Sequence, residues 1–224
     1  MTRAVDTRTV RIFLLDDTRE LRHRVRRTLT ASADFSVVGE ADDPVDGLPL
    51  IADLQPDIVV CDLSMPRMDG LEATRRLVAE DEDRRILILT TFDRNEYVYE
   101  TLRAGASGFV LKDTPGPQLV AGIRAVSRGE ALLAPAITRR LIEEFTGTRL
   151  AAEPPGYDEL TPRERDVLDR VARGLSNAEI AAELVVSQAT VKSHVAGVLS
   201  KLGLRDRVQA VVLAYETGLV RPGG

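Results

Sequence analysis

The sequence predicts a doubly wound α/β domain built on a five-stranded parallel sheet, followed by a small all-α domain of four helices. Two observations carry the first half: short apolar runs that end on polar residues, and helix-like segments alternating with them. A third carries the second half, a closely spaced series of helix-start signals beyond residue 160.

The apolar runs are Val10 to Leu15, Asp57 to Cys61, Arg85 to Leu89 and Gly108 to Leu111, each rich in Val, Ile or Leu. Continuous apolar stretches of this length read as strands buried on both faces. Phe35 to Glu40 supplies the fifth strand. Helical patterns separate them at Arg19 to Ala31, Leu71 to Glu80, Asn95 to Ala104 and Pro115 to Arg128. Between Pro44 and Leu54, Gly47 and Pro49 fall where the second helix belongs. An interior proline costs about 3 kcal/mol, so that helix is expected to start late or kink.

Five strands joined by helices favour the flavodoxin-like order 2-1-3-4-5, whose ligand crevice opens at the carboxyl ends of strands 1 and 3. Strand 1 ends at Asp16 and Asp17, and strand 3 at Asp62. Thr90 and Lys112 arrive beside them from strands 4 and 5. Three carboxylates this close repel one another unless one takes a proton or a cation joins them. An all-oxygen site with few protein ligands suits Mg²⁺, which keeps several waters and accepts phosphate oxygens. A carboxylate beside such a metal can attack phosphorus while the metal and a lysine neutralise the transferring group. Asp62 is the best placed for that role, with Lys112 and the Thr90 hydroxyl facing the phosphoryl group.

Asp16-Asp17, the run Asp62-Leu63-Ser64-Met65-Pro66-Arg67-Met68-Asp69-Gly70, Thr90, and Phe109 three residues before Lys112 together resemble the receiver domain of two-component response regulators. The resemblance implies that Asp62 is the phosphoacceptor. It implies Mg²⁺ ligation by Asp17, Asp62 and the Ser64 carbonyl, with Asp16 acting through water. Thr90 and Phe109 would form the switch pair, the hydroxyl moving toward the phosphoryl group and the ring turning inward behind it. The first helix carries Arg19, Arg22, Arg24, Arg26 and Arg27 around Leu21, Val25 and Leu29, a pattern of a solvated face or of a docking surface for a kinase or a partner receiver.

The 224 residues exceed one average domain. Cys61 is the single cysteine, so no intramolecular disulfide forms. The charged N-terminus contains no secretory signal, and no apolar run reaches the roughly 20 residues of a membrane span. A cytoplasmic protein without membrane contact is expected. From residue 160 onward, 9 Lys+Arg face 7 Asp+Glu, a net of +2, so the rest carries −7 of the total −5. The domains are read as 1–130, a linker over 131–158 with a short helix at Ile137 to Phe145 and a joint at Ala151 to Asp158, and 159–224.

Thr161-Pro162-Arg163-Glu164 is a capping box with proline at the first helical position. Ser176-Asn177-Ala178-Glu179 is a second, after Gly174, and Ser187 caps a third helix that reaches about Leu202. Two short helices joined by Val185, Val186 and Ser187 make a helix-turn-helix. In its second helix Val191, Val195, Val198 and Leu202 form the core stripe, while Ala189, Lys192, Ser193, Ala196 and Ser200 point away from it. That small outward face can approach DNA closely.

Leu160 to Arg165, Gly174 to Ala181, Thr190 to Val195 and Lys201-Leu202-Gly203 resemble the LuxR-type DNA-binding domain. Joined to a receiver, they look like the NarL/FixJ class of response regulator. The resemblance implies base reading at Lys192, Ser193 and Ala196, although Ser193 and Ala196 lack the long arms other members carry there. Thr190, His194 and Lys201 join them as candidate DNA contacts, with His194 toward the core edge. Gly197 weakens the helix by up to about 1 kcal/mol unless its missing side chain admits the DNA backbone. The class implies a fourth helix, here Asp206 to Thr217, with a stripe of Val208, Val211, Val212 and Tyr215 for the domain core or a dimer.

The implied function is a phosphorylation-controlled transcription regulator, not an enzyme beyond chemistry on its own Asp62. A sensor histidine kinase would supply the phosphoryl group, and a homodimer would bind double-stranded DNA with paired half-sites. Two alternatives stand beside it: a regulator that binds DNA without phosphorylation, and a phosphatase of the haloacid dehalogenase type. The latter requires an acid two residues after the nucleophile, where this chain has Ser64.

Overall fold

The computed structural model describes residues 9–91, 98–129, 132–133 and 154–219. Those residues divide between two compact units, one of residues 1–93 with 109–128 and one of residues 94–108 with 129–224. The expected linker helix at Ile137 to Phe145 lies outside the described residues.

In chain order the sheet-forming half runs β1 (Val10–Leu15), α1 (Arg19–Thr30), β2 (Phe35–Ala41), α2 (Pro44–Leu54), β3 (Ile58–Asp62), α3 (Gly70–Glu80), β4 (Arg85–Thr90), α4 (Val98–Arg103), β5 (Gly108–Leu111) and α5 (Gly116–Ser127). The sheet order is β2-β1-β3-β4-β5. β1 pairs in parallel with both β2 and β3, and β3 with β4. Ile12, Phe13, Ile58, Val59, Ile86, Leu87 and Ile88 are fully buried, as strands covered on both faces require. Because β1 and β3 are central neighbours, their carboxyl ends come together.

The segment Pro44–Leu54 corrects the expectation of a late or kinked second helix, for α2 begins at Pro44 and runs without interruption through Pro49. Asp43 caps it by accepting a hydrogen bond from Val45 N at 3.0 Å, and Pro44 at the first position gives up an N–H that would have had no partner. Pro49 removes only the bond to the Val45 carbonyl, and Val45 is exposed to water that can replace it. Gly47 has a packing role. A Cβ there would stand 2.4 Å from Leu15 Cδ2, so its absence lets α2 lie directly on β1.

The second unit holds α6 (Pro162–Ala172), α7 (Asn177–Leu184), α8 (Gln188–Lys201) and α9 (Arg207–Glu216). Both capping boxes form with both reciprocal bonds, and Gly174 (φ 84°) stops α6. Ser187 caps α8 and Asp206 caps α9. Val185 ends α7 in the left-handed region at φ 55°, ψ 50°. Val167, Leu168, Val171, Ile180, Val191, Val198, Val208 and Val211 make the core. Val195 and Leu202 are half-buried at the margin of the expected stripe. All four stripe residues of α9, Val208, Val211, Val212 and Tyr215, are buried.

Candidate functional site

The first site lies where β1 and β3 end. Asp16 and Asp62 are each 3% exposed, whereas Asp17 is open to solvent. Lys112 reaches in from the end of β5 and places Nζ 2.8 Å from Asp62 Oδ2 and 3.0 Å from Asp16 Oδ2. One carboxylate oxygen each from Asp16, Asp17 and Asp62 lies within 4.8 Å of the others.

The local backbone explains this precision. Thr18 N donates to Asp16 Oδ1 at 2.8 Å, and the Thr18 hydroxyl donates to Asp17 Oδ1 at 3.1 Å, which turns both side chains at the β1–α1 corner. The Ser64 N–H donates to the Asp62 carboxylate. Gly70 begins α3 against the backbone of Asp62: a Cβ would stand 2.3 Å from the Asp62 carbonyl oxygen, so only glycine lets the helix start there. Lys112 N donates to the Thr90 carbonyl at 2.8 Å, fixing β5 against β4.

Burial is the largest influence on Asp62 and pushes its carboxyl above the ordinary value, with Asp16 adding repulsion and Lys112 opposing both. Burial pulls the Lys112 ammonium down, but the attraction of the Asp62 and Asp16 carboxylates beside it more than offsets this and holds it above its ordinary value. Asp16 Oδ2 is buried and unsatisfied: Lys112 is near enough for an ion pair but lacks hydrogen-bond geometry. Three carboxylates with an orphaned buried oxygen fit a hard divalent cation that keeps waters of its own. The donor set is oxygen only.

Thr90 is 3% exposed, and its hydroxyl donates to the Thr91 carbonyl at 3.1 Å. Phe109 is fully buried. The cysteine before Asp62, Cys61, is also fully buried, its thiol pushed far up by burial and donating to the Asp62 carbonyl.

Several supporting residues escaped the sequence reading. Arg22 donates to the Asp16 carbonyl and Arg24 to the Lys112 carbonyl, so two α1 arginines anchor pocket backbone. Asp43, 1% exposed, accepts from Arg67 N at 2.9 Å while capping α2, tying the loop after Asp62 to the β2–α2 turn. Arg67 also pairs with Asp46, which holds that carboxyl below its usual range. An acidic cluster before α2 and an arginine five residues after Asp62 were the available signals.

The second site is α8. Gln188, Ala189, Thr190, Lys192, Ser193, Ala196 and Ser200 are exposed, and His194 is half-buried. The Ser193 hydroxyl donates to the Ala189 carbonyl at 3.2 Å, and the Thr190 side chain lies 2.8 Å from the capping Ser187 hydroxyl. Lys201 Nζ lies 2.7 Å from Glu164 Oε2. Gly197 leaves room for protein: a Cβ would meet Glu164 Oε1 at 2.4 Å.

Comparison with known proteins identifies two domains along the chain. Residues 12–124 match the response regulator receiver domain model, and residues 158–214 match that of the bacterial regulatory proteins of the luxR family. The chain is 41% identical over 213 residues to the uncharacterized transcriptional regulatory protein YxjL of Bacillus subtilis (strain 168), covering 95% of this chain and 98% of that protein. It is 36% identical to the nitrate/nitrite response regulator protein NarL of Escherichia coli (strain K12), covering 92% and 94%. Among solved structures it resembles the response regulator ChrA of a heme-sensing two-component system, with a TM-score of 0.53, 34% identity and coverage of 95% and 99%. A carboxylate pocket at the strand ends, a helix-turn-helix downstream and similarity along nearly the whole length converge: the chain belongs to the two-component response regulators, transcriptional regulators that join a receiver domain to a LuxR-type DNA-binding domain.

Proposed function

We propose that Asp62 accepts a phosphoryl group from a sensor histidine kinase and that the modified chain alters its binding to DNA. The observation that carries this reading is Lys112 Nζ standing 2.8 Å from Asp62 and 3.0 Å from Asp16, inside a cluster of three carboxylates. Asp16, Asp17, Asp62 and the Ser64 carbonyl would hold Mg²⁺, which neutralises charge on the transferring group. Lys112 has the reach to pair with a phosphoryl oxygen once Asp62 is modified. The Thr90 hydroxyl can exchange the Thr91 carbonyl for the same group, and Phe109 is the ring that would repack behind it. The domains are assigned as 1–130, 131–158 and 159–224, acting in the cytoplasm.

On DNA, Thr190, Lys192, Ser193 and Ala196 form the face of α8 assigned to the major groove, with His194 at its margin. Lys192 is its only cation. A homodimer formed on phosphorylation would read paired half-sites. Since the stripe of α9 is already buried, dimer contacts would fall on other residues.

Incubation with Mg²⁺ and acetyl phosphate tests the first step. The full chain should gain the mass of one phosphoryl group and Asp62→Ala should not. A gain retained by that variant, or none in the parent, would reject Asp62 as the acceptor. Selection of bound genomic fragments with and without this treatment should then show tighter binding, by a dimer, after it. Equal binding would point to a regulator that acts without phosphorylation.

A further inference from the structure

Glu164 sits at the third position of α6, 7% exposed, and its carboxylate is shared between two helices. Oε2 accepts from Thr161 N at 2.8 Å and from Thr161 Oγ1 at 2.9 Å, completing the capping box. The same oxygen lies 2.7 Å from Lys201 Nζ at the end of α8. Oε1 fills the space over Gly197, where a Cβ would come within 2.4 Å.

Gly197 and Lys201 are one turn apart, so the carboxylate presses on α8 at two successive turns of one face. The chain before α6 presses on the same end of the helix. Gly156 (φ +82°) lies so close that a Cβ would stand 2.3 Å from the Lys201 carbonyl oxygen. At about 100° per residue, Lys201 points about 180° away from Lys192, on the margin of the helix where Thr190 also lies. A carboxylate this buried requires donors, and Lys201 supplies the charged one. That bond is the first cause of the Glu164 carboxyl being lowered to about 2.

We infer that Glu164 and Lys201 are positioning residues for DNA reading: they set the seating of α8 on α6, and Lys201 makes no phosphate contact. The inference rests on α8 being the reading helix. Gly197 is the third part of the device, small so that the carboxylate can bear on the helix backbone. This assigns two residues outside the reading face to the recognition of DNA.

The test uses the full chain and a fluorescein-labelled duplex drawn from the selected genomic fragments, with affinity measured by anisotropy across a KCl series. A lysine that neutralises a phosphate contributes about 0.9 to the slope of log affinity against log salt. Lys201→Met and Glu164→Gln should each bind about tenfold more weakly with the parental slope, and the double variant should be no weaker than either. Gly197→Ala, which alters no charge, should show the same signature. It decides the matter should either charge variant fail to give the parental far-ultraviolet circular dichroism.

A slope reduced by about 0.9 in Lys201→Met, with parental affinity in Glu164→Gln and Gly197→Ala, would make Lys201 a phosphate contact and overturn the inference. So would parental affinity in all three. A parent chain that binds no duplex, or an exposed-face variant Lys192→Met that binds as the parent does, would instead remove α8 as the reader, and the inference falls with it.

Discussion

Lys112 Nζ lies 2.8 Å from Asp62 Oδ2, so the carboxylate proposed as phosphoacceptor is held by an ion pair before any phosphoryl group arrives. The lysine side chain is 18% exposed and that of the aspartate 4%, which places the pair where water screens it weakly.

Removing the lysine should therefore be costly. Lys112→Met leaves Asp16 and Asp62 both buried without a counter-charge, a loss of about 3–5 kcal/mol when one partner of a buried pair is deleted. Urea unfolding in metal-free buffer measures it. Added Mg²⁺ should recover part of the loss, because the cation takes over the neutralising role. Parental stability in this variant would show that the carboxylates do not depend on Lys112.

The pH dependence has a definite sign. Asp62 binds its proton more readily in the folded chain than in the unfolded one, where its ordinary value is 3.8. The folded state then holds more protons across the window that opens near 3.8 and extends up to the raised value, so stability falls as pH climbs through it. Lys112 is raised as well, so its contribution is complete below 10.5 and is lost only as pH rises through its higher folded value. Asp62→Asn should abolish the fall on the acid side. Urea midpoints against pH in metal-free buffer check this, and superimposable profiles for the two chains would refute it.

Asp43 should matter more than its distance from the chemistry suggests. Asp43→Ala loses the α2 cap and the bond to Arg67 N together, about 2 kcal/mol for a buried acceptor of two N–H groups. Phosphorylation by acetyl phosphate should slow as well, since the loop after Asp62 loses its tether. Asp43→Asn keeps one acceptor oxygen and should restore about half of the stability.

Val185 offers the opposite sign. It is 89% exposed and held at φ 55°, where a branched β-carbon is strained. Asparagine tolerates that conformation, so Val185→Asn should stabilise the helix-turn-helix by about 1 kcal/mol. Thermal melting of the full chain, followed through its C-terminal helices, measures the gain.

The pocket was legible because it depends on chain order alone. Once β1 and β3 are neighbours, residues at their ends meet, and Asp16, Asp62 and Lys112 needed no further information. The caps were legible for a similar reason, since Thr161 and Glu164 or Ser176 and Glu179 act within four residues. What could not be read was the identity of neighbours across the fold. A glycine in a helix announces a close approach without naming what approaches, so Gly197 was expected to cost helix stability unless it admitted the DNA backbone, and it leaves room for Glu164. The partner of Lys201 was hidden in the same way, because its distance from Glu164 is set by packing of α6 on α8. Pro49 in α2 was judged by its average cost, which the exposed position of Val45, whose carbonyl loses its partner, can reduce.

The Ser193 hydroxyl donates to its own helix at Ala189, and Ala189 and Ala196 carry no polar atoms beyond Cα. The reading face therefore presents few groups able to question a base edge. If α8 is the reading helix as proposed, discrimination among operators beyond what Gln188, Thr190 and Lys192 can supply would reside in the duplex itself, in how readily a given run of base pairs bends or narrows its groove to admit so smooth a helix. Favoured sites for this regulator would share a mechanical character across positions that no side chain touches.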